Sequence, residues 1–206
     1  MAIARRSRVG LPPLRWLVLV GVSRVIVAIG IGGLRSSQRA SNERHASTML
    51  KTLASAEADF RANDRDWNLV NDFWTGDVSG LYYEKAANTR NEIRLIEELQ
   101  ADSDPKALLT LPSGSGPLKG YRYQALDRDE AFKGDEALCK KDTDKSGRKV
   151  HPMNKYGFCA FPEKSSAGKF MFKLNENNTI FREDPSKPRD RFPNDDELKS
   201  YWSKID

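Results

Sequence analysis

The chain has 206 residues and a formal net charge of +5, with 38% hydrophobic and 31% charged residues. These values fit one modest globular domain with an appendage and exclude collagen-like, low-complexity and polytopic membrane proteins. Residues 1–35 contain six arginines and no acid, and the remaining 28 basic and 29 acidic residues give a net charge of −1. Nucleic-acid binding needs a clustered basic face, so no nucleic-acid partner is expected.

A basic leader, residues 1–10, precedes an apolar segment, residues 11–34. In these 24 residues only Arg15, Ser23 and Arg24 are clearly polar, and about 20 apolar residues suffice to cross a membrane. The alternatives are a buried helix of a soluble domain and a cleavable secretory signal. Because arginines precede the segment, we predict a single-pass inner-membrane protein with a cytoplasmic N-terminus and a periplasmic or extracellular C-terminal domain.

Residues 35–63 continue the helix as an amphipathic segment. They contain neither Pro nor Gly, and apolar residues recur at three- and four-residue spacing. The stripe consists of Ala46, Met49, Leu50, Leu53, Ala56 and Phe60. One helix over residues 14–62 would be about 70 Å long, too long to be buried in a domain of this size. Lipid or other copies must therefore cover its first half, while its second half packs on the rest of the chain.

The exported domain, residues 64–206, begins with loop and helix signals. Residues 63–88 combine turn-forming Asp, Asn and Gly with aromatic side chains, which predicts an irregular loop packed on the helix. Residues 91–100 predict a short second helix, closed by the Asp-Pro pair at 104–105. A flexible connection is expected at residues 113–120.

Strand patterns follow this connection. Alternation predicts strands at residues 121–126 and 156–161, separated by a polar stretch. Residues 170–174 and 179–183 flank a four-residue turn signal and predict a β-hairpin. Near the C-terminus, Asn194 predicts the N-cap of a short closing helix that returns Tyr201 and Trp202 to the core. The predicted fold class is α+β, a long helix packed on a small antiparallel sheet.

Two cysteines, Cys139 and Cys159, are the only ones in the chain. In an oxidising compartment they are expected to form a disulfide that closes the polar stretch and removes about 3 kcal/mol of unfolded-chain entropy. The alternative is two reduced, buried thiols.

Signals for metal binding and catalysis are weak. Asp142 and Asp144 begin a calcium-loop pattern, but Met153 occupies the twelfth position, where a bidentate Glu is expected. The half-motif is typical of a solvated turn, so no metal or other cofactor is assigned. The sequence shows no nucleophile elbow, phosphate loop or paired acids on a recognisable scaffold, which predicts a protein that is not an enzyme.

The architecture resembles the type IV pilin and type II secretion pseudopilin family. The likeness lies in the basic leader, the apolar helix with its amphipathic continuation, and a small exported domain with a cysteine pair. Gly10 is followed by Leu11 and an apolar run, as at the family's entry motif, and residues 36–68 with the following DFWTGDVSGLYY look like the region after the apolar helix. These resemblances cover about the first 85 residues.

The resemblance implies cleavage by a prepilin peptidase after Gly10, N-methylation of Leu11 and assembly into a filament core. Most members have a glutamate where this chain has Arg15. An arginine there would repel a neighbour's new amino terminus, so the usual registration contact cannot form. We therefore expect either a divergent or minor subunit or a chain whose N-terminus no longer supports normal processing. Arg15 and Arg24 are expected to mark how the subunit joins homo- or hetero-oligomeric pilin partners.

Two functions compete on the sequence alone. The favoured one is a pilin-like or pseudopilin-like subunit of a filament, because half of a long helix is left uncovered. The alternative is a membrane-anchored periplasmic module that binds a ligand among Trp67, Trp74, Tyr82 and Tyr83. Aromatic clusters more often belong to a core.

Overall fold

A computed structural model describes most of the chain, and contacts divide it into two compact units, Met1–Gln38 and Arg39–Asp206. All strands that the structure describes belong to the second unit. The described residues are 13–85, 91–107, 116–126, 128–129, 142–143, 149–150, 155–200 and 202–205.

Helix α1 spans Pro13–Asn63 and covers the whole of the helix predicted at residues 14–62. The prediction of one uninterrupted helix is therefore confirmed. Three further helices among the described residues are short. They are α2 (Gly80–Tyr83), α3 (Glu98–Ala101) and α4 (Asp195–Ser200).

An antiparallel sheet of five strands forms the centre of the second unit. Its strands are β1 (Tyr121–Ala125), β5 (Gly157–Pro162), β6 (Met171–Asn175), β7 (Ile180–Glu183) and β9 (Ser203–Lys204), in the order β1-β5-β6-β7-β9. The predicted hairpin is confirmed as β6 and β7. Two small pairs accompany the sheet: β2 (Arg128–Asp129) lies parallel to β8 (Arg191–Phe192), and β3 (Asp142–Thr143) pairs with β4 (Lys149–Val150).

The predicted apolar stripe of α1 is buried in the second unit. Its members are in the main hydrophobic core, with only Met49 partly buried. Polar contacts fix the same helix to the loop before β6, because Asn42 Nδ2 donates to the Ala167 carbonyl at 2.9 Å and Glu43 Oε1 accepts from the Lys169 N–H at 2.7 Å. Since each large buried apolar side chain contributes about 1.5–3 kcal/mol, the stripe is a major source of stability.

The sheet is covered on both faces, which the sequence pattern did not predict. Every residue of β5, an interior strand of the sheet, is buried. Phe158 and Ala160 belong to the main core with α1, whereas Cys159 and Phe161 belong to a second core on the other face. Met171, Phe192 and Trp202 complete this second core. The sequence of a strand that is buried on both faces is typically a continuous run of apolar residues, without alternation.

The helix predicted at residues 91–100 is wrong except for its end, where α3 forms one turn. The backbone before α3 bonds instead to the chain around α2. The N–H groups of Ile93, Arg94 and Leu95 donate to the carbonyls of Glu84, Tyr82 and Leu81 at 2.9, 3.1 and 2.8 Å. These N–H groups therefore cannot form the i to i−4 hydrogen bonds of an α-helix.

The closing helix α4 begins with the predicted cap. Asn194 Oδ1 accepts from the Glu197 N–H at 2.9 Å, and Glu197 Oε2 accepts from the Asn194 N–H at 3.1 Å. This reciprocal pair is a capping box. Trp202 is buried as predicted, while Tyr201 lies outside the described residues. The chain then adds β9 to the edge of the sheet beside β7.

We expect the Gly168→Ala variant to lose about 2–3 kcal/mol of unfolding free energy. A Cβ at Gly168 would overlap the Tyr121 hydroxyl and would lie 2.6 Å from Cζ of the same ring. That ring is fully buried, and its hydroxyl donates to the Phe170 carbonyl at 2.7 Å. Thermal unfolding tests this. The Gly116→Ala control, where a Cβ meets no atom within 4 Å, should unfold like the wild type, and an equal loss in both variants would contradict the steric explanation.

Candidate functional site

The first unit exposes a run of large apolar side chains on α1. Their exposed fractions are 58% for Trp16, 59% for Val18 and Leu19, 44% for Val20 and 53% for Val22. A contiguous apolar surface of this kind marks an interaction site in proteins. We call this run, residues 16–22, the apolar run.

The predicted processing and assembly residues lie in or before the first unit. Gly10 and Leu11 are outside the described residues, so cleavage between them stays a prediction. Arg15 is in the first turn of α1, but its side chain is not described, and the Arg24 side chain is exposed. Within the described part of the chain, no helix has an apolar stretch long enough to cross a membrane.

The four aromatic residues predicted as an alternative ligand site lie in different environments. Trp74 is buried in the main core, its ring centre 5.9 Å from that of Phe60. Trp67 is half exposed, and Tyr82 and Tyr83 stack edge to face with ring centres 4.7 Å apart. Trp74 belongs to the main core and the two tyrosines pack against it. Ligand binding by these residues stays a prediction.

Of the two cysteines, Cys159 is described; it is fully buried in the second core and forms no disulfide with another described residue. Burial raises the pKa of this thiol to about 11. Cys139 lies outside the described residues, so the disulfide stays a prediction.

Two grooves lie on the second unit. One, of about 520 Å³, follows α1 and is lined by small side chains together with Phe73, Tyr156 and Glu176. The other, of about 590 Å³, is lined mainly by charged side chains, among them Arg39, Lys169 and Asp184.

A loop rich in carboxylates follows α1. We call residues 64–75 the acidic loop. Asn68 Nδ2 donates to Asp66 Oδ2 at 2.9 Å and to Asp72 Oδ2 at 3.0 Å. Asp64 Oδ2 accepts from the Leu69 N–H at 3.0 Å, and Asn68 Oδ1 accepts from the Val70 N–H at 2.7 Å. These bonds bring polar side chains from four loop positions together.

Burial and mutual repulsion act on the carboxylates around the acidic loop. Burial, reinforced by Asp72, raises the pKa of Asp66 to about 7. Glu57 on α1 is fully buried, and this burial raises the pKa of its carboxyl well above the ordinary value. Glu57 Oε2 accepts from the Trp74 N–H at 2.9 Å. Oε1 of Glu57 and Oδ1 of Asp64 and of Asp66 are buried without a hydrogen-bond partner.

Two other buried acids have a structural role. Asp77 Oδ1 accepts from the Gly80 N–H at 2.7 Å, and Asp104 Oδ2 accepts from the Val78 N–H at 2.6 Å. Burial raises the pKa of Asp104 to about 6. Both side chains bind backbone donors and so fix the chain that leads into α2.

The acidic loop was missed as a polar site because its aromatic residues dominated the interpretation of this segment. The spacing of Asp64, Asp66, Asn68 and Asp72 was the available signal. The calcium-loop pattern of the sequence lies in a different segment, at Asp142 and Asp144. Its Asp142 is in β3, and Asp144 lies outside the described residues. In the described part of the chain, no three His, Cys, Asp or Glu side chains are arranged to hold a metal ion.

Comparison with protein-family models, curated proteins and solved structures gives no match for this chain.

Proposed function

We propose that this chain is a non-enzymatic, pilin-like or pseudopilin-like subunit of a filament. The observation that supports this most directly is the apolar run of α1, whose large side chains are 44–59% exposed. Covering one such side chain contributes about 1.5–3 kcal/mol, so association through this run would be strongly favourable. Neighbouring subunits in a filament would provide that cover.

The structure of the second unit is compatible with this function. The sheet and the residues around it bury the stripe of α1 from Ala46 to Phe60. An α+β domain of this kind uses the later part of the helix for its own core. The apolar run is thereby left for partners rather than for the domain.

The proposal includes a membrane stage and processing. Before assembly, residues 11–34 anchor the chain in the inner membrane, with the N-terminus in the cytoplasm and the domain outside. A prepilin peptidase then cleaves between Gly10 and Leu11. The support for both steps is the sequence, namely the arginine-rich leader and the apolar residues that follow it.

We expect the Leu19→Arg variant to lose assembly while the second unit stays folded. A charge in the middle of the apolar run opposes burial against a neighbour, because a buried unpaired charge is costly. Sedimentation of the full-length protein in mild detergent measures the polymer, and circular dichroism measures the fold. Leu99→Arg is the matched control, because Leu99 is 62% exposed but lies in α3. Unchanged polymer in Leu19→Arg would refute the role of the apolar run.

A further inference from the structure

The charged groove of about 590 Å³ lies within the second unit. Its walls come from three segments that are distant in sequence, namely the start of this unit on α1, the loop between β5 and β6, and the chain between β7 and β8. The side chains that matter for its chemistry are Arg39, Glu163, Ser165, Lys169, Asp184 and Arg189. We call it the basic groove, because its cations outnumber its carboxylates.

Both carboxylates of the basic groove are already compensated by neighbours. Glu163 Oε1 accepts from Arg122 Nε at 3.0 Å and from Nη2 of the same guanidinium at 2.7 Å. Asp184 Oδ1 accepts from the Ser186 N–H at 2.9 Å. Hydrogen bonds from Ser186, assisted by the charge of Lys187, lower the pKa of Asp184. Each carboxylate therefore has its own partner and does not neutralise the cations of the groove.

The three cations of the basic groove have no carboxylate partner within the described part of the chain. Arg39 Nε donates to the Ser166 carbonyl at 3.3 Å, and Arg189 Nη2 donates to the Pro185 carbonyl at 3.5 Å. These bonds orient the two guanidiniums and leave most of their five N–H donors for a ligand. Lys169 adds an ammonium group with three donors.

Aromatic rings hold two of these cations in position. The guanidinium carbon of Arg189 lies 4.3 Å from the ring centre of Phe161, and Lys169 Nζ lies 5.2 Å from that of Phe170. Phe161 is itself buried in the second core. A guanidinium that stacks on a ring still presents its N–H groups at its edge. Because the cations are oriented in advance, a ligand pays less side-chain entropy on binding.

The loop between β5 and β6 adds an uncharged donor. Its shape is fixed by the Ala167 N–H, which donates to the Lys164 carbonyl at 2.9 Å, and by the Lys169 N–H, which donates to Glu43 Oε1 at 2.7 Å. Among the residues that the structure describes, none forms a hydrogen bond with the Ser165 hydroxyl. This hydroxyl is therefore left as a donor for a ligand in the groove.

We propose that the basic groove binds a phosphate group through Arg39, Lys169, Arg189 and the Ser165 hydroxyl. Guanidinium and ammonium groups are the side chains that proteins use to bind phosphate. A phosphate has enough acceptor oxygens to meet donors from three chain segments at once, whereas a carboxylate is satisfied by one guanidinium. Binding breaks none of the contacts that orient the cations.

Two sources supply such a phosphate, a soluble phosphate ester and the headgroup of an anionic phospholipid. A volume of about 590 Å³ is typical of small-molecule sites and leaves room for the organic part of either. Arg39 follows the predicted apolar segment, residues 11–34, by five residues, or about 7.5 Å along α1. The lipid source therefore rests on the membrane stage of the proposed function, whereas the phosphate site does not.

The full-length protein in a non-ionic detergent is titrated calorimetrically at low ionic strength, where charge interactions are least screened. The titrants are glycerol 1-phosphate and short-chain phosphatidylglycerol in mixed micelles. We expect one phosphate group per chain and no binding of glycerol or of a short-chain diacylglycerol. Binding of the soluble ester identifies a soluble source, and binding of the lipid alone identifies a headgroup. No binding of either titrant, or tighter binding of a glutamate hexapeptide than of both, would overturn the proposal.

Neither titration requires a filament, so a failure of the phosphate site leaves the proposed function standing. Likewise, loss of filament assembly would not affect binding of the soluble ester.

Variants with one charge removed locate the phosphate. Arg39→Gln and Arg189→Gln should each weaken binding by about tenfold or more, because each loses charged hydrogen-bond donors. Arg44→Gln is the matched control, because Arg44 is an exposed arginine of α1 that does not line the groove. Its affinity should change by less than about twofold. Equal losses in all three variants would show a response to net charge alone and would overturn the assignment, as would full affinity in both groove variants.

A second measurement uses the unmodified chain and does not depend on how the variants fold. Arginines are modified with phenylglyoxal, with and without the titrant that binds, and the modified positions are found by peptide mapping. The phosphate ligand should protect Arg39 and Arg189 and leave Arg44 reactive. Equal reactivity of Arg39 and Arg189 with and without the ligand would overturn the assignment.

Discussion

Replacing Lys173 with methionine is expected to lower the free energy of unfolding by about 3 kcal/mol, because charged hydrogen-bond donors are lost from a buried site. Lys173 is on β6 and only 1% of it is exposed. Its Nζ donates to the Pro188 carbonyl at 2.6 Å and to the Arg191 carbonyl at 2.5 Å. It also lies 5.0 Å from the ring centre of Trp202. These contacts join the sheet to the chain that covers its second face.

Two opposing effects set the size of this change. Burial lowers the pKa of Lys173, which shows that the charged form is poorly solvated, and methionine relieves this cost. Each hydrogen bond to the ammonium contributes about 1.5–3 kcal/mol, and methionine supplies no donor to either carbonyl. The two bonds and the contact with Trp202 together exceed the relief, so the net change is a loss.

Thermal and urea unfolding of the full-length protein measure the loss, which corresponds to a fall of about 10 °C in the midpoint. Lys204→Met is the matched control, because Lys204 is an exposed lysine on β9 of the same sheet. Its unfolding free energy should change by no more than about 0.5 kcal/mol. Equal effects in the two variants would show that the buried donors of Lys173 add no stability.

The elements that could be predicted are those with a clear local signal in the sequence, such as a regular repeat of apolar residues. The stripe of α1 repeats over four turns, from Ala46 to Phe60, and the structure buries it as expected. The hairpin of β6 and β7 has its turn signal directly between two apolar runs. The cap at Asn194 depends on a residue three positions away. In each case the determining interactions are local, or one face of the element is apolar along its full length.

Elements set by distant partners were not predictable. Strand β9 is only Ser203–Lys204, and it exists because it pairs with Phe181 and Arg182 of β7. Both residues of β9 are exposed, so the sequence there lacks the alternation of apolar and polar residues that predicts a strand. The single turn of α3 has a similar cause, since the backbone before it bonds to the chain around α2. Propensity is a weak guide where tertiary hydrogen bonds take the backbone donors.

The acidic loop combines both situations. Its spacing from Asp64 to Asp72 is local and could have been found in the sequence. The position of Glu57 beside this loop could not, because Glu57 precedes the loop by a helical turn or more and looks like one polar position of an amphipathic helix. Only packing of Trp74 and its neighbours against α1 brings the loop backbone to the Glu57 carboxylate.

Replacing Arg24 with leucine is expected to reduce incorporation into filaments by more than about tenfold, because a contact with an acidic partner would be lost. The Arg24 side chain is exposed on α1, and in the sequence no acid precedes Glu43. A second copy aligned in parallel therefore offers no carboxylate from its apolar segment. Under the proposed function, the partner that fits is a different subunit of the filament with an acid near its own N-terminus.

Arg24 lies near the middle of the apolar segment, and this depth determines how much its charge costs in a membrane. At a membrane centre an arginine costs about 2.5–3.5 kcal/mol on insertion scales, so in the proposed membrane stage the lone chain would carry a penalty that a partner's carboxylate would relieve. Arg15 lies nine residues earlier, about 2.5 helical turns away, and is expected to reach the lipid headgroups. Arg35→Leu is the control, because Arg35 is an exposed arginine of α1 just beyond the apolar segment, and it should leave incorporation close to that of the wild type. Membrane fractionation should show that Arg24→Leu inserts at least as well as the wild type. Filament content and co-purification of the acidic partner should both fall. Unchanged filament content together with unchanged co-purification would mean that Arg24 is tolerated in the segment without contributing to assembly.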